Sequence, residues 1–211
     1  MELLGKIFTV NRVIQILLAF LFLVNVAEGL FGPILSVFIV QTIPGATLAT
    51  AGFSIAIYSI VKSLIQVPLA FAIDRKEGER DDYLVMMTGA MLGIAYSLGY
   101  AYVDSVMGLY LLSAIGGAGG AFLMAAYYSL FARHADKGAE GFEWSLFSVG
   151  GLTVSSALGA AGGGMLAEAI GFRNLFSVSA ALLLCATILL LFLSPYLKNA
   201  STTSGEPQPA P

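Results

Sequence analysis

Six long apolar stretches, separated by short polar punctuation, decide what this chain can fold into. A helix that crosses a bilayer needs roughly 20 consecutive apolar residues, and six such runs with short loops fill a chain of 211 residues. Composition agrees. Charged residues make up 11% of the chain and hydrophobic ones 58%, whereas a soluble domain carries about a quarter charged residues. Disorder demands low hydrophobicity and high charge, the reverse of a mean hydropathy of +0.87. The reading is an all-α integral membrane protein whose main solvent is lipid.

The runs cover residues 13–43, 48–73, 83–103, 106–132, 144–170 and 175–197. Gly32-Pro33 interrupts the first, and Pro44-Gly45 turns the chain after it. Asp104-Ser105 is a plausible N-cap for the fourth. Residues 1–198 thus form one six-helix transmembrane domain, and the Ser/Thr/Pro-rich segment 199–211 reads as a disordered cytoplasmic tail. The first stretch is too long for the apolar core of a signal peptide, about 7–15 residues, and lacks its cleavage pattern.

Lys6, Arg12, Arg75, Lys76, Arg80, Arg133, Lys137 and Lys198 all fall on one side of the predicted topology, against Arg173 alone on the other. Cytoplasmic loops collect positive charge, so both termini are expected in the cytoplasm, at the plasma membrane.

Other totals exclude functions. A net charge of −3 leaves no basic surface for nucleic acid. With one cysteine, Cys185, and one histidine, His134, the chain has neither an internal disulfide nor a CxxC-type metal site. No Ser/His/Asp set or nucleophile elbow is present. The expectation is no enzyme, no cofactor and no metal.

Several segments together carry a family resemblance. The end of the second run reads Pro68-Leu-Ala-Phe-Ala-Ile-Asp74-Arg75-Lys-Glu-Gly78-Glu-Arg80. This resembles the Gly-x-x-x-Asp-Arg-x-Gly-Arg loop of the major facilitator superfamily, with Ala70 in place of the leading glycine and Gly78 displaced by one residue. In the fifth run, Gly159-Ala-Ala-Gly-Gly163-Gly164-Met-Leu166 is similar to that family's Gly-Pro-x-x-Gly-Gly-x-Leu, with Ala160 for the proline. Gly171-Phe-Arg173-Asn-Leu-Phe176 looks like the Gly-Trp-Arg-x-x-Phe that opens its sixth helix, and Leu30-Phe31-Gly32-Pro33 like a first-helix pattern. The resemblance extends from about Val13 to Leu197, in the family's order.

That resemblance implies a six-helix bundle like one half of a transporter, since family members normally have twelve helices in two halves. It implies alternating access, with Asp74, Arg75, Gly78 and Arg80 as a gating loop in which Asp74 latches cytoplasmic helix ends. Where the family often carries a fourth-helix arginine, aligned on Gly117, this chain has Ser113, so proton coupling through that arginine does not carry over.

Glu28 and Lys62 are the only charges deep inside predicted spans. Counted at about 1.5 Å per residue, both lie roughly 20 Å from the outer helix ends, on antiparallel neighbours. A lone charge in hydrocarbon costs at least about 2.5–3.5 kcal/mol, so they should pair or face a wet cavity. Two readings stay open, a midplane transport site or a structural ion pair. Polar stripes favour the first: Asn25, Glu28, Gly32 and Ser36 share one helix face, as do Tyr58, Lys62 and Gln66. Ser113, Met124 and Tyr127 join Asn25, Glu28, Lys62 and Gln66 as candidates along the substrate path, although Tyr127 and Tyr128 could instead be interfacial anchors. The Gly-x-x-x-Gly pairs Gly89/Gly93, Gly116/Gly120 and Gly159/Gly163, with Gly164, read as helix-packing surfaces.

The chain is therefore expected to move a small solute, of a kind the sequence does not specify, as a half-size unit that dimerises or pairs with another half. The alternatives are a non-transporting assembly or regulatory subunit, and a fragment of a twelve-helix transporter. The start at Met1 and the polar tail favour a half-size unit over a fragment.

Overall fold

The computed structural model describes residues 10–75 and 78–197. The tail expected at 199–211 lies outside them, as do Lys6, Lys76 and Lys198. Six helices long and apolar enough to cross a membrane follow one another: α1 (Arg12–Thr42), α2 (Leu48–Asp74), α3 (Glu79–Tyr102), α4 (Val106–His134), α5 (Glu140–Ile170) and α6 (Phe172–Tyr196). The chain is an all-α, six-helix integral membrane bundle.

Local chemistry sets the ends. The Asn11 side chain accepts from the Val13 N–H at 2.9 Å and caps α1. Thr47 and Thr50 form a reciprocal capping box at α2, and Ser105 accepts from Gly108 at α4. Gly171, at φ +80°, is the whole connection between α5 and α6; a side chain there would strain the left-handed backbone.

Three helices run past the limits read from hydropathy. α3 starts at Glu79 and α5 at Glu140, while α4 continues to His134. Most of the added residues are charged, and apart from Arg80 their signs suit the helix dipole: Glu79, Asp81 and Asp82 sit in the first turn of α3, and Arg133 and His134 in the last turn of α4. Polarity alone made these turns look like loop.

Three helices are not regular; α6 is α-helical to Leu191 and closes on a 3₁₀ turn, Ser194–Tyr196. In α1 a 3₁₀ turn, Gly32–Ile34, separates Arg12–Phe31 from Leu35–Thr42, because Pro33 cannot donate to the helical ladder and its ring clashes with the preceding turn. In α5 the segment Leu146–Val154 is π-helical, a form that recurs at functional sites. Gly151 lies in that segment against Leu21 of α1.

α1 packs on α5 and α6, α4 packs on α2 and α3, and α3 meets α6. Exchanging the first three helices with the last three reproduces this pattern, as expected of an inverted structural repeat. Buried hydroxyls tie the layers: Ser97 of α3 donates to the Phe176 carbonyl at 3.1 Å, and Ser179 of α6 to that of Ala27 at 2.8 Å. One core layer gathers Phe31, Phe38, Tyr100, Leu175 and Phe176 near the α1–α2 turn. The other gathers Phe20, Tyr127, Phe131 and Phe147 toward the ends where α1 begins and α6 finishes. α2 gives the core least, burying only Thr50, Ala51, Ser54 and Ile73.

Candidate functional site

Against the aromatic layer near the α1–α2 turn, which supplies Phe31 and Tyr100 to its lining, lies a cavity of about 420 Å³ bounded by α1, α2, α3 and α5. Asn25, Glu28 and Gly32 line it from α1, so part of the predicted polar stripe lies along one wall. Tyr58 of α2 and Tyr96 and Tyr100 of α3 form another wall. The Tyr58 and Tyr96 ring centroids are 5.8 Å apart, and the Tyr96 and Tyr100 hydroxyls share a hydrogen bond at 3.1 Å.

Glu28 sits deep along α1 yet its side chain is open to the cavity. Among the described residues it has neither a hydrogen bond nor an ion pair within 4.0 Å. The expected Glu28–Lys62 ion pair is therefore not formed, although Lys62 is the cation that acts electrostatically on Glu28. Lys62 has another neighbour: its Nζ lies 5.9 Å from the Tyr58 ring centroid, at the outer limit of cation–π contact. Lys62 does not line the cavity.

Glycines of α4 make room for this wall. A Cβ at Gly120 would stand 2.7 Å from the Tyr58 hydroxyl, one at Gly116 would run into the Tyr96 ring, and one at Gly117 into the Tyr58 carbonyl. Gly159 and Gly163 likewise let α5 approach α1, since a Cβ there would strike the Val26 and Leu30 carbonyls. Gly164, grouped with them in the sequence, faces open space.

Other predicted positions lie elsewhere. Tyr127 is fully buried in the opposite aromatic layer, stacked on Phe131 with centroids 5.8 Å apart and donating to the Leu17 carbonyl at 3.3 Å. Met124 packs against that layer. Ser113 is buried and donates to the Leu109 carbonyl at 2.9 Å. Gln66 is half-buried, one turn beyond Lys62 and outside the cavity. At the end of α2, Asp74 and Arg75 are exposed, with the Arg75 guanidinium 4.1 Å from the Phe71 ring centroid. Asp74 has no ion pair among the described residues, whereas Gly78 is the buried N-cap of α3 and Arg80 is exposed.

At that end Glu79 is buried beside His134, at 3.8 Å, and Asp82, which lay outside the predicted spans, is engaged inside the bundle. Its Oδ2 accepts from Ser129 at 3.1 Å and lies 3.4 Å from Arg133, while its buried Oδ1 has no hydrogen-bond partner among the described residues. Glu143 is equally buried; its Oε2 accepts from the Asp136 N–H at 3.1 Å and its Oε1 has no partner. Tyr96 and Tyr100 were also missed. The signal was there: Gly89, Gly93, Tyr96 and Tyr100 repeat at helical spacing, so small and hydroxylated residues share one face of α3. No group of three or more His, Cys, Asp or Glu among the described residues could hold a metal ion.

The arrangement offers binding, with one unpartnered carboxylate, an amide and a tyrosine wall in a cavity of small-ligand size. Comparison with curated proteins finds no significant match. A family profile described as Major Facilitator Superfamily matches residues 17–211, nearly the whole chain and all but the first turns of α1. With six apolar helices in an inverted-repeat arrangement behind that match, the chain belongs to the Major Facilitator Superfamily, a family of membrane transporters.

Proposed function

We propose that this chain moves a small solute across the cytoplasmic membrane by alternating access, with the cavity beside Glu28 as its binding site. The observation that carries this reading is Glu28 itself: a carboxylate deep in a membrane helix, without a partner, facing a cavity of about 420 Å³. Ionisable groups inside membranes are expensive and mark solute or ion paths. With both termini cytoplasmic, the cavity occupies the outward half of the bundle, and the aromatic layer around Tyr127 closes the cytoplasmic half.

Alternating access in this family is one bundle rocking against another, so the six-helix unit works with a second copy of itself or a partner half. Support comes from α2, which leaves most of its surface open beside the cavity. Flux of radiolabelled metabolites and organic ions into proteoliposomes tests the reading. Solute uptake above that of empty vesicles, diminished in Glu28→Gln, is expected. Flux equal to empty vesicles across the panel overturns it.

A further inference from the structure

The cavity carries one charge and four rings. Among the described residues, Glu28 is the sole charged side chain lining it, and Phe31, Tyr58, Tyr96 and Tyr100 supply the aromatic surface. No basic residue lines it, since Lys62 lies outside. Asn25 uses its amide N–H on the Leu21 carbonyl at 3.0 Å, which leaves its Oδ1 as a further acceptor. The lining therefore offers acceptors, π faces and a negative charge.

We propose that this cavity binds a compact organic monocation, with Glu28 as its counter-charge and the rings of Tyr58 and Tyr96 as its π wall. This deepens the transport reading above and rests on the cavity being the solute site. An anion would meet the Glu28 carboxylate with no basic side chain in the lining to offset it. A neutral solute would leave that carboxylate as it is now, without a partner. Hard divalent cations require six or more oxygen ligands, and one carboxylate among aromatic rings does not supply them. A weakly hydrated ammonium or amidinium on an apolar body meets both features, because aromatic faces attract cations most strongly where water is excluded.

Tritiated benzyltrimethylammonium is the probe, bound to the full chain in lipid nanodiscs and measured by scintillation proximity. Saturable binding is expected, displaced by tetraethylammonium but not by benzyl alcohol or benzenesulfonate. Glu28→Gln should weaken affinity about tenfold or more and Tyr96→Leu several-fold. Absence of saturable binding, equal displacement by benzenesulfonate, or wild-type affinity in Glu28→Gln overturns the proposal. The displacement series needs no variant, so it decides even if Glu28→Gln does not fold. Bound cation without flux in proteoliposomes would overturn the transport reading alone. Flux of other solutes by a protein that binds no cation would overturn this one alone.

Discussion

Glu28 on α1 and Lys62 on α2 are near enough for the lysine to act on the carboxylate, yet no ion pair within 4.0 Å joins them. Glu28 turns into the cavity, and Lys62 lies against Tyr58. A closed buried pair would lose about 3–5 kcal/mol when either partner is removed. An open one should not. In a double-mutant cycle of Glu28→Gln and Lys62→Met, followed by chemical unfolding in detergent, the coupling is expected below about 1 kcal/mol. A coupling of about 3 kcal/mol or more would mean that the pair closes.

Gly163 and Gly164 are neighbours in sequence with opposite surroundings. A methyl on Gly163 would run into the Leu30 carbonyl, whereas one on Gly164 meets nothing within 4 Å. The obstacle at Gly163 is backbone, which no rotamer change relieves. Gly163→Ala is expected to destabilise the α1–α5 contact by about 1–3 kcal/mol and to lower Tm by several degrees. Gly164→Ala should be neutral or slightly stabilising, by up to about 1 kcal/mol, since alanine is the better helix former. Equal Tm changes in the two variants would contradict the observed packing.

The six spans were legible because hydropathy over 20-residue windows reports the solvent, and lipid is this chain's solvent. The Gly32-Pro33 break was legible for the same local reason that it exists, a missing N–H. Part of the cavity could also be read: the stripe of Asn25, Glu28 and Gly32 lies along one wall. What escaped depends on neighbours. Equal depth placed Glu28 and Lys62 side by side, but depth does not say which way each side chain turns around its helix. Tyr127 was read as a cavity residue or an interfacial anchor; its hydroxyl instead donates to the Leu17 carbonyl inside the core. Asp82 fell outside the apolar run that begins at residue 83, and only the approach of α4 brings Ser129 and Arg133 to it. The π-helical stretch at Leu146–Val154 leaves no mark in composition at all.

Asp82 is fully buried, and the Arg133 side chain beside it is 26% exposed. That asymmetry decides which substitution hurts more. Arg133→Met leaves a buried carboxylate without its cation and should destabilise strongly, up to the roughly 3–5 kcal/mol of a broken buried pair. Asp82→Asn keeps an acceptor for Ser129 and removes the buried charge, while Arg133 can turn to solvent, so a smaller loss is expected. Unfolding of both variants in detergent compares them directly. A more stable Arg133→Met than Asp82→Asn would show that Arg133 does not neutralise Asp82.

Orientation is fixed by which loops meet the outside, and two exposed positions report it. Asp104 lies between α3 and α4, and Lys137 between α4 and α5. The positive charges cluster on the side of Lys137, which the positive-inside rule places in the cytoplasm. Cys185 is the one cysteine of the chain, so Cys185→Ser is the background for single cysteines at the two sites. Asp104→Cys is expected to react with an impermeant maleimide in intact cells, and Lys137→Cys only after permeabilisation. The reverse pattern would invert the bundle. The cavity beside Glu28 would then lie in the cytoplasmic half, and the aromatic layer around Tyr127 would become the outer barrier.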